Sequence, residues 1–238
     1  MNCIKTAILP TTQQFAKLDV PSKLHKEAIC VFAATGFFMD DDTYWTNTKC
    51  LRPAHDHRLD PQGYLQSSQP NFNWHYSPTE RSFEQVLEEY IQLLTTIIKD
   101  QVGDHRVILP LSGGLDSRSQ AMVLKDLENE VHSYSYSFDG GFREDKIAKQ
   151  IAQSCGFQFD SYTIPKGYLW NSIDALADIN QCYSEFTHPR QMAILPQLRQ
   201  MEGVFSLGHW GDVLFDRGAP EGAKDSDIIP LLLKKMRG

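Results

Sequence analysis

Six consecutive residues, Ser112, Gly113, Gly114, Leu115, Asp116 and Ser117, bring two hydroxyls, two glycines and a carboxylate into one short turn. Ahead of them Val107, Ile108 and Leu109 form an apolar run of the kind found in buried parallel strands, carried into the turn by Pro110 and Leu111. Behind them Ala121, Met122, Leu124 and Leu127 recur at helical spacing, which predicts a helix over 116–129. The Gly-Gly pair therefore sits on a strand-to-helix turn, where glycine permits unusual φ and lets the backbone approach a ligand closely. The first amides of the helix favour negative charge at the same spot. The hydroxyls of Ser112 and Ser117 are further donors, and Asp116 can hold a cation that neutralises phosphate. Such a turn is an anion cradle.

The spacing excludes three common relatives of this turn. No Lys-Ser or Lys-Thr pair follows the second glycine, so it is not a Walker A loop. The glycine spacing does not fit a dinucleotide fingerprint, and no Gly-x-Ser-x-Gly elbow presents a nucleophilic serine. SGGLDS instead resembles the pyrophosphate loop of the ATP-pyrophosphatase (PP-loop) family, and SGGLDSR is most similar to asparagine synthetases and related amide ligases. The resemblance implies a loop that grips the β- and γ-phosphates of ATP through Ser112, Gly113, Gly114, Leu115, Asp116 and Ser117. It also implies adenine near Leu111 and Tyr136, held through the backbone. Arg118 is placed either to approach phosphate or as an exposed helix arginine.

A second stretch, SLGHWGDVLFDRG from Ser206 to Gly218, resembles the segment that closes over ATP and the acyl substrate in asparagine synthetases. By that resemblance Leu207 and Gly208 meet the nucleotide, and Asp212 joins Asp116 in holding Mg2+. Asp116, Ser117 and Asp212 are then the catalytic set. His209 stands where the family has a glutamate, Val213 replaces another acid, and Asp216-Arg217 replaces a Gly-Gly pair. These departures put His209 and Trp210 in the substrate pocket and question the usual aspartate specificity. The activity implied is carboxylate activation as an acyl-adenylate, with release of pyrophosphate. The partners implied are ATP, a small carboxylate, and ammonia or another amine donor, which a separate glutaminase could supply. A degenerate nucleotide-binding module and another PP-loop ligase remain the alternatives.

These residues need a scaffold, and the pattern supplies one. Phe83, Val86, Leu87, Tyr90, Ile91, Leu94, Ile97 and Ile98 mark an amphipathic helix over 83–101, with Ser82 as N-cap and Gly103-Asp104 as its end. Strands are expected at 131–138, 157–164 and 204–207, with helices at 144–155, 168–182, 189–201 and 228–235. This alternation predicts an α/β fold: a parallel twisted sheet with helices on both faces, of the adenine nucleotide alpha hydrolase-like type that the resemblance implies. Ligands in such sheets bind outside the carboxyl ends of the strands, which draws the ends of the first, second and fourth strands together.

Residues 1–80 read as a small irregular α+β segment, with a short helix near 27–38 ending at Gly36. The run from Ala34 to Gly63 faintly resembles the tail of a glutaminase domain, and residues 81–238 then form the PP-loop domain, expected to be incomplete at its C-terminus. Such a glutaminase needs cysteine as its mature first residue. Here the order is Met1, Asn2, Cys3, so glutaminase activity is not expected. Asp40, Asp41 and Asp42 fit a solvated turn better than a metal site, and His55 and His57 share a face with no third ligand in view. At 41% hydrophobic and 22% charged residues, with net charge -7, the chain has no basic footprint for nucleic acid. It has no apolar run long enough for a membrane span, no CxxC pair among its five cysteines, and no signal-peptide core. A cytoplasmic location is the expectation.

Overall fold

The structure is a computed structural model that describes residues 15–73, 75, 77, 79–180, 189–208, and 222, 224, 226, 227, 230 and 231. It divides into two compact units, one comprising residues up to 77 with 173–188 and 217–238, the other 78–172 with 189–216.

In the first unit β1 (Phe15–Lys17) pairs antiparallel with β2 (Thr48–Cys50), and helix α1 (Lys26–Thr35) lies between them in sequence. Gly36 ends α1 in the left-handed region at φ 85°, as expected of a glycine C-cap. β3 (His55–Leu59) and β4 (Leu65–Pro70) form an antiparallel hairpin whose register slips between Arg58 and Leu59. Of the three acids after α1, Asp41 and Asp42 are ion-paired, while Asp40 is exposed. Lys49 Nζ reaches Asp41 at 3.1 Å and Asp42 at 2.6 Å, and Arg52 Nε donates to Asp41 at 3.0 Å. His55 and His57 do share a face, their rings stacked with centroids 5.8 Å apart. Among the described residues no group of three His, Cys, Asp or Glu side chains is placed to hold a metal.

The second unit opens with α2 (Phe83–Val102), held at its start by a capping box. Ser82 Oγ accepts from the Gln85 N–H, and Gln85 Oε1 accepts from the Ser82 N–H. Then come β5 (Val107–Pro110), α3 (Leu115–Asp126), β6 (Val131–Phe138), α4 (Glu144–Cys155) and β7 (Gln158–Ile164). α5 (Tyr168–Asn180) follows, its residues from Ile173 on belonging to the first unit, and after residue 188 come a 3-10 turn (Pro189–Ile194), the single turn α6 (Leu195–Leu198) and β8 (Val204–Phe205). The expected helix over 189–201 is thus mostly 3-10. Pro196 stands in the first turn of α6, where its missing N–H breaks any continuous ladder from the residues before it.

The four strands form one parallel sheet in the order β7-β6-β5-β8. Both faces are covered, as the alternation predicted. On one face Val107, Leu109 and Val131 pack with Ile98 and Val102 of α2, Ala121 and Leu124 of α3, and Ala148 and Ala152 of α4. On the other, Ile108 and Tyr134 pack with Ile194 and Leu198, and Tyr136 and Tyr162 flank them. β6 makes this division visible in its sequence. Ser133, Ser135 and Ser137 alternate with Tyr134 and Tyr136, and all three serines are buried. Small residues therefore line one side of β6 and bulky ones the other. Burial, reinforced by Tyr136 and Tyr162, pushes the Tyr134 phenol up to about 12, so it stays neutral.

Candidate functional site

The strand order places a topological switch at β5. The chain moves from β5 through β6 to β7 on one side, then returns to lay β8 on the other. In open parallel sheets the crevice beyond the carboxyl ends of strands that part in this way is where ligands sit. The turn from Ser112 to Ser117 occupies that end of β5.

Leu111 anchors the turn. Its side chain is buried, and its N–H donates to the Tyr134 carbonyl at 2.7 Å, carrying the β5–β6 ladder one residue past the strand. Beyond it the turn is knit by its own hydroxyls. The Ser112 N–H donates to Ser117 Oγ at 3.1 Å, the two hydroxyl oxygens lie 2.9 Å apart, and the Gly114 N–H donates to Ser112 Oγ at 3.1 Å. The Gly113 N–H donates to Glu144 Oε1 at 3.1 Å, and the Gly113 carbonyl accepts from Arg118 Nη2 at 2.9 Å.

The glycines are needed here for space, and not for the unusual φ that the sequence suggested. Gly114 has φ -73°, and Gly113 also lies outside the left-handed region. A Cβ on Gly113 would stand 3.3 Å from both Glu144 Cγ and Ile147 Cδ1, and one on Gly114 would stand 3.2 Å from Ser112 Oγ. The turn is drawn so tightly against α4 and its own serine that a side chain would have to push a neighbour aside.

Gly114 is the N-cap of α3 and caps it with no side chain. The amides of Leu115, Asp116 and Ser117 take no acceptor among the described residues. An uncapped helix N-terminus carries these free donors and a partial positive charge. Leu115 is 73% exposed, and Asp116, also exposed, has no charged partner among the described residues. Three amides with no acceptor among the described residues and one exposed carboxylate thus lie at the switch point.

The end of β8 comes to the same place. The Ser206 N–H donates to the Ile108 carbonyl at 3.0 Å, and its buried hydroxyl donates to Oε1 of buried Gln120 at 2.7 Å. Gln120 lies one helical turn after Asp116 on the same side of α3. A Cβ on Gly208 would fall 2.0 Å from Gln120 Nε2 and 3.7 Å from Asp116 Cβ, so Gly208 lies directly against the acid. Leu207 beside it is exposed. Asp212, His209 and Trp210 lie outside the described residues.

Tyr136 is half-buried on β6. Tyr134 directs its main-chain groups toward β5, and Tyr136, two residues on, directs its own to the same edge, past the last β5–β6 pair of Pro110 with Tyr134. Its backbone therefore borders the crevice. The structure brings together Leu111, Ser112, Gly113, Gly114, Leu115, Asp116, Ser117 and Gly208. Sequence reasoning missed Glu144, Gln120 and Ser206. The one available signal for Glu144 was its place at the start of the helix after β6, on the same sheet edge as the turn.

Residues 89–206 match the asparagine synthase family model. No curated protein matches the chain. Among solved structures the chain is similar to a predicted tRNA methyltransferase subunit from Methanocaldococcus jannaschii, at 20% identity and a TM-score of 0.29, covering 56% of this chain and 64% of that one. It is also similar to glutamine-dependent NAD+ synthetase from Acinetobacter baumannii, solved with ADP, at 16% identity and a TM-score of 0.36, covering 66% of this chain and 30% of that one. NH3-dependent NAD synthetase from Campylobacter jejuni, solved with nitrate, shares 16% identity at a TM-score of 0.34, covering 67% and 75%. The chain spans less than two thirds of the first two of these structures. No helix among the described residues is long and apolar enough to cross a membrane. The match to the asparagine synthase family model, whose type is the PP-loop ATP pyrophosphatase, thus runs from within α2 to the residue after β8, just under half of the chain.

Proposed function

We propose that the chain is an ATP-dependent carbon–nitrogen ligase that activates a small carboxylate as an acyl-adenylate. The observation that carries this is the uncapped start of α3 at the switch point, three free amides beside exposed Asp116, within the asparagine synthase match. A carboxylate oxygen of the substrate attacks the α-phosphorus of ATP, the bond from that phosphorus to the β-phosphate oxygen breaks, and pyrophosphate leaves. An amine, as ammonia or from another donor, then attacks the acyl carbon and AMP departs. Charge grows on the pyrophosphate, so the groups that speed the first step are donors already fixed in place. The amides of Leu115, Asp116 and Ser117 are such donors, with the serine hydroxyls beside them. Magnesium, when bound, neutralises phosphate charge. Asp116 fits it as an exposed carboxylate with no cationic partner among the described residues, and Asp212 is the second carboxylate in this reading. The backbone of Tyr136 borders the place proposed for adenine. Leu207 and Gly208 are assigned to the nucleotide, and His209 and Trp210 to the substrate pocket, where a histidine replacing an acid disfavours an ammonium-bearing substrate such as aspartate.

ATP–pyrophosphate exchange, measured across a panel of carboxylates, tests this reading. Exchange with at least one of them is expected, and Asp116→Ala should lower MgATP affinity by more than about tenfold, since the phosphates lose their shared cation. Binding of MgATP that is unchanged in the folded Asp116→Ala protein would remove the assignment of the loop. Binding without exchange for any carboxylate would favour a nucleotide-binding module.

A further inference from the structure

We infer that Glu144 is a positioning residue for the turn at 112–117, acting through its carboxylate on the Gly113 amide. Glu144 is the first residue of α4 and is half-buried, 31 positions along the chain from Gly113. Its Oε1 accepts from the Gly113 N–H at 3.1 Å. Its Cγ, with the Ile147 side chain one helical turn on, fills the space a Gly113 side chain would need.

The peptide group is planar, so the direction of the Gly113 N–H also fixes that of the Ser112 carbonyl. Held by Glu144, this peptide turns its carbonyl toward Ser117, whose Oγ lies 3.4 Å away. The next peptide is fixed independently. Its N–H, from Gly114, goes to Ser112 Oγ, and its carbonyl, from Gly113, accepts from Arg118. Two successive peptides are thus clamped, one by α4 and one by α3 and Ser112. Without an acceptor on α4 the first peptide can rotate and bring a carbonyl oxygen toward the place where an anion is to be held. A carboxylate this close to a phosphate site would otherwise be an odd choice, because like charges repel. Engaged with a backbone donor, it sets the loop and spends its charge there.

The inference rests on the nucleotide reading for the identity of the ligand, while the orientation of the peptide does not depend on it. Two variants separate the acceptor from the bulk. Glu144→Met keeps the packing against Gly113 and Ile147 and removes the acceptor; Glu144→Gln keeps both. In the protein without nucleotide, the Gly113 amide proton resonance should move upfield and exchange faster with solvent in Glu144→Met, and should stay near its original position in Glu144→Gln. MgATP affinity should fall roughly fivefold to tenfold in Glu144→Met, as for one lost hydrogen bond, and remain within about twofold in Glu144→Gln. Both proteins should melt within a few degrees of the parent. A Gly113 amide unmoved in Glu144→Met would overturn the inference, as would equal loss of affinity in the two variants, which would make the charge the essential property. If the parent chain itself binds no MgATP, the nucleotide reading fails, and the amide resonance alone still decides the role of Glu144.

Discussion

Gly208 has no room for a side chain, and the reason is a single hydrogen-bonded pair. Gln120 Nε2 would lie 2.0 Å from an added Cβ, and Gln120 cannot swing away freely because its Oε1 holds the buried Ser206 hydroxyl. Gly208→Ala should therefore break that pair and destabilise the protein by about 1–3 kcal/mol, the range for a buried donor left unsatisfied. Chemical denaturation of Gly208→Ala, Gln120→Ala and the double variant checks this. The double variant should be little worse than the worse single one, because both changes remove the same contact. Full additivity would show that Gly208 is required for another reason. At this scale the sequence was a partial guide. The turn from Ser112 to Ser117 stood out by composition, whereas Gln120, Ser206 and Glu144 are ordinary residues that matter only through partners far along the chain. No local pattern marks such a pairing. The role of Gly113 was hidden for the same reason, since the side chains it must avoid belong to α4.

Among the elements, helix α4 does more than cover the sheet. Its second residue, Asp145, is buried, with Arg143 donating to both carboxylate oxygens at 2.8 and 2.7 Å and Ser161 of β7 donating at 2.9 Å. The Arg143 hydrogen bonds, against the cost of burial, hold this carboxyl well below the usual carboxylate range. An unfolded aspartate titrates near 3.9, so between that value and the lower folded one the unfolded chain binds more protons. The stabilisation is complete above about pH 4 and is lost as pH falls through the folded value. Asp145→Asn should cost on the order of 2 kcal/mol at neutral pH, and the difference from the parent should shrink below about pH 4. Melting temperatures measured from pH 7 to pH 3 would check it; a constant gap would show that packing, and not charge, sets the cost. The elements themselves were mostly readable. The N-cap Ser82, the glycine stop at Gly36 and the alternation of β6 each left a local mark. The segment from Pro189 did not, because apolar spacing cannot tell a 3-10 turn from an α-helix.

The arrangement of the whole sheet unit followed from strand–helix alternation, but its order did not, since adjacency between β5 and β8 rests on contacts between distant segments. That adjacency has a consequence for how the protein comes into being. β5, β6 and β7 follow one another closely in the chain, whereas β8 must find β5 after a long intervening stretch, as the separation of 86 positions between Gln120 and Ser206 illustrates. Closing so long a loop is entropically costly and slow compared with the nearer pairings. The turn from Ser112 to Ser117 is therefore expected to assemble early, on a nascent three-stranded sheet, with the strand that brings Gly208 to it arriving last. Pulse-labelled hydrogen exchange during refolding should find the amides of Leu109 and Leu111 protected before those of Val204 and Ser206. A chain still emerging from the ribosome would by this order possess the turn at the end of β5 before the segment that packs Gly208 against it.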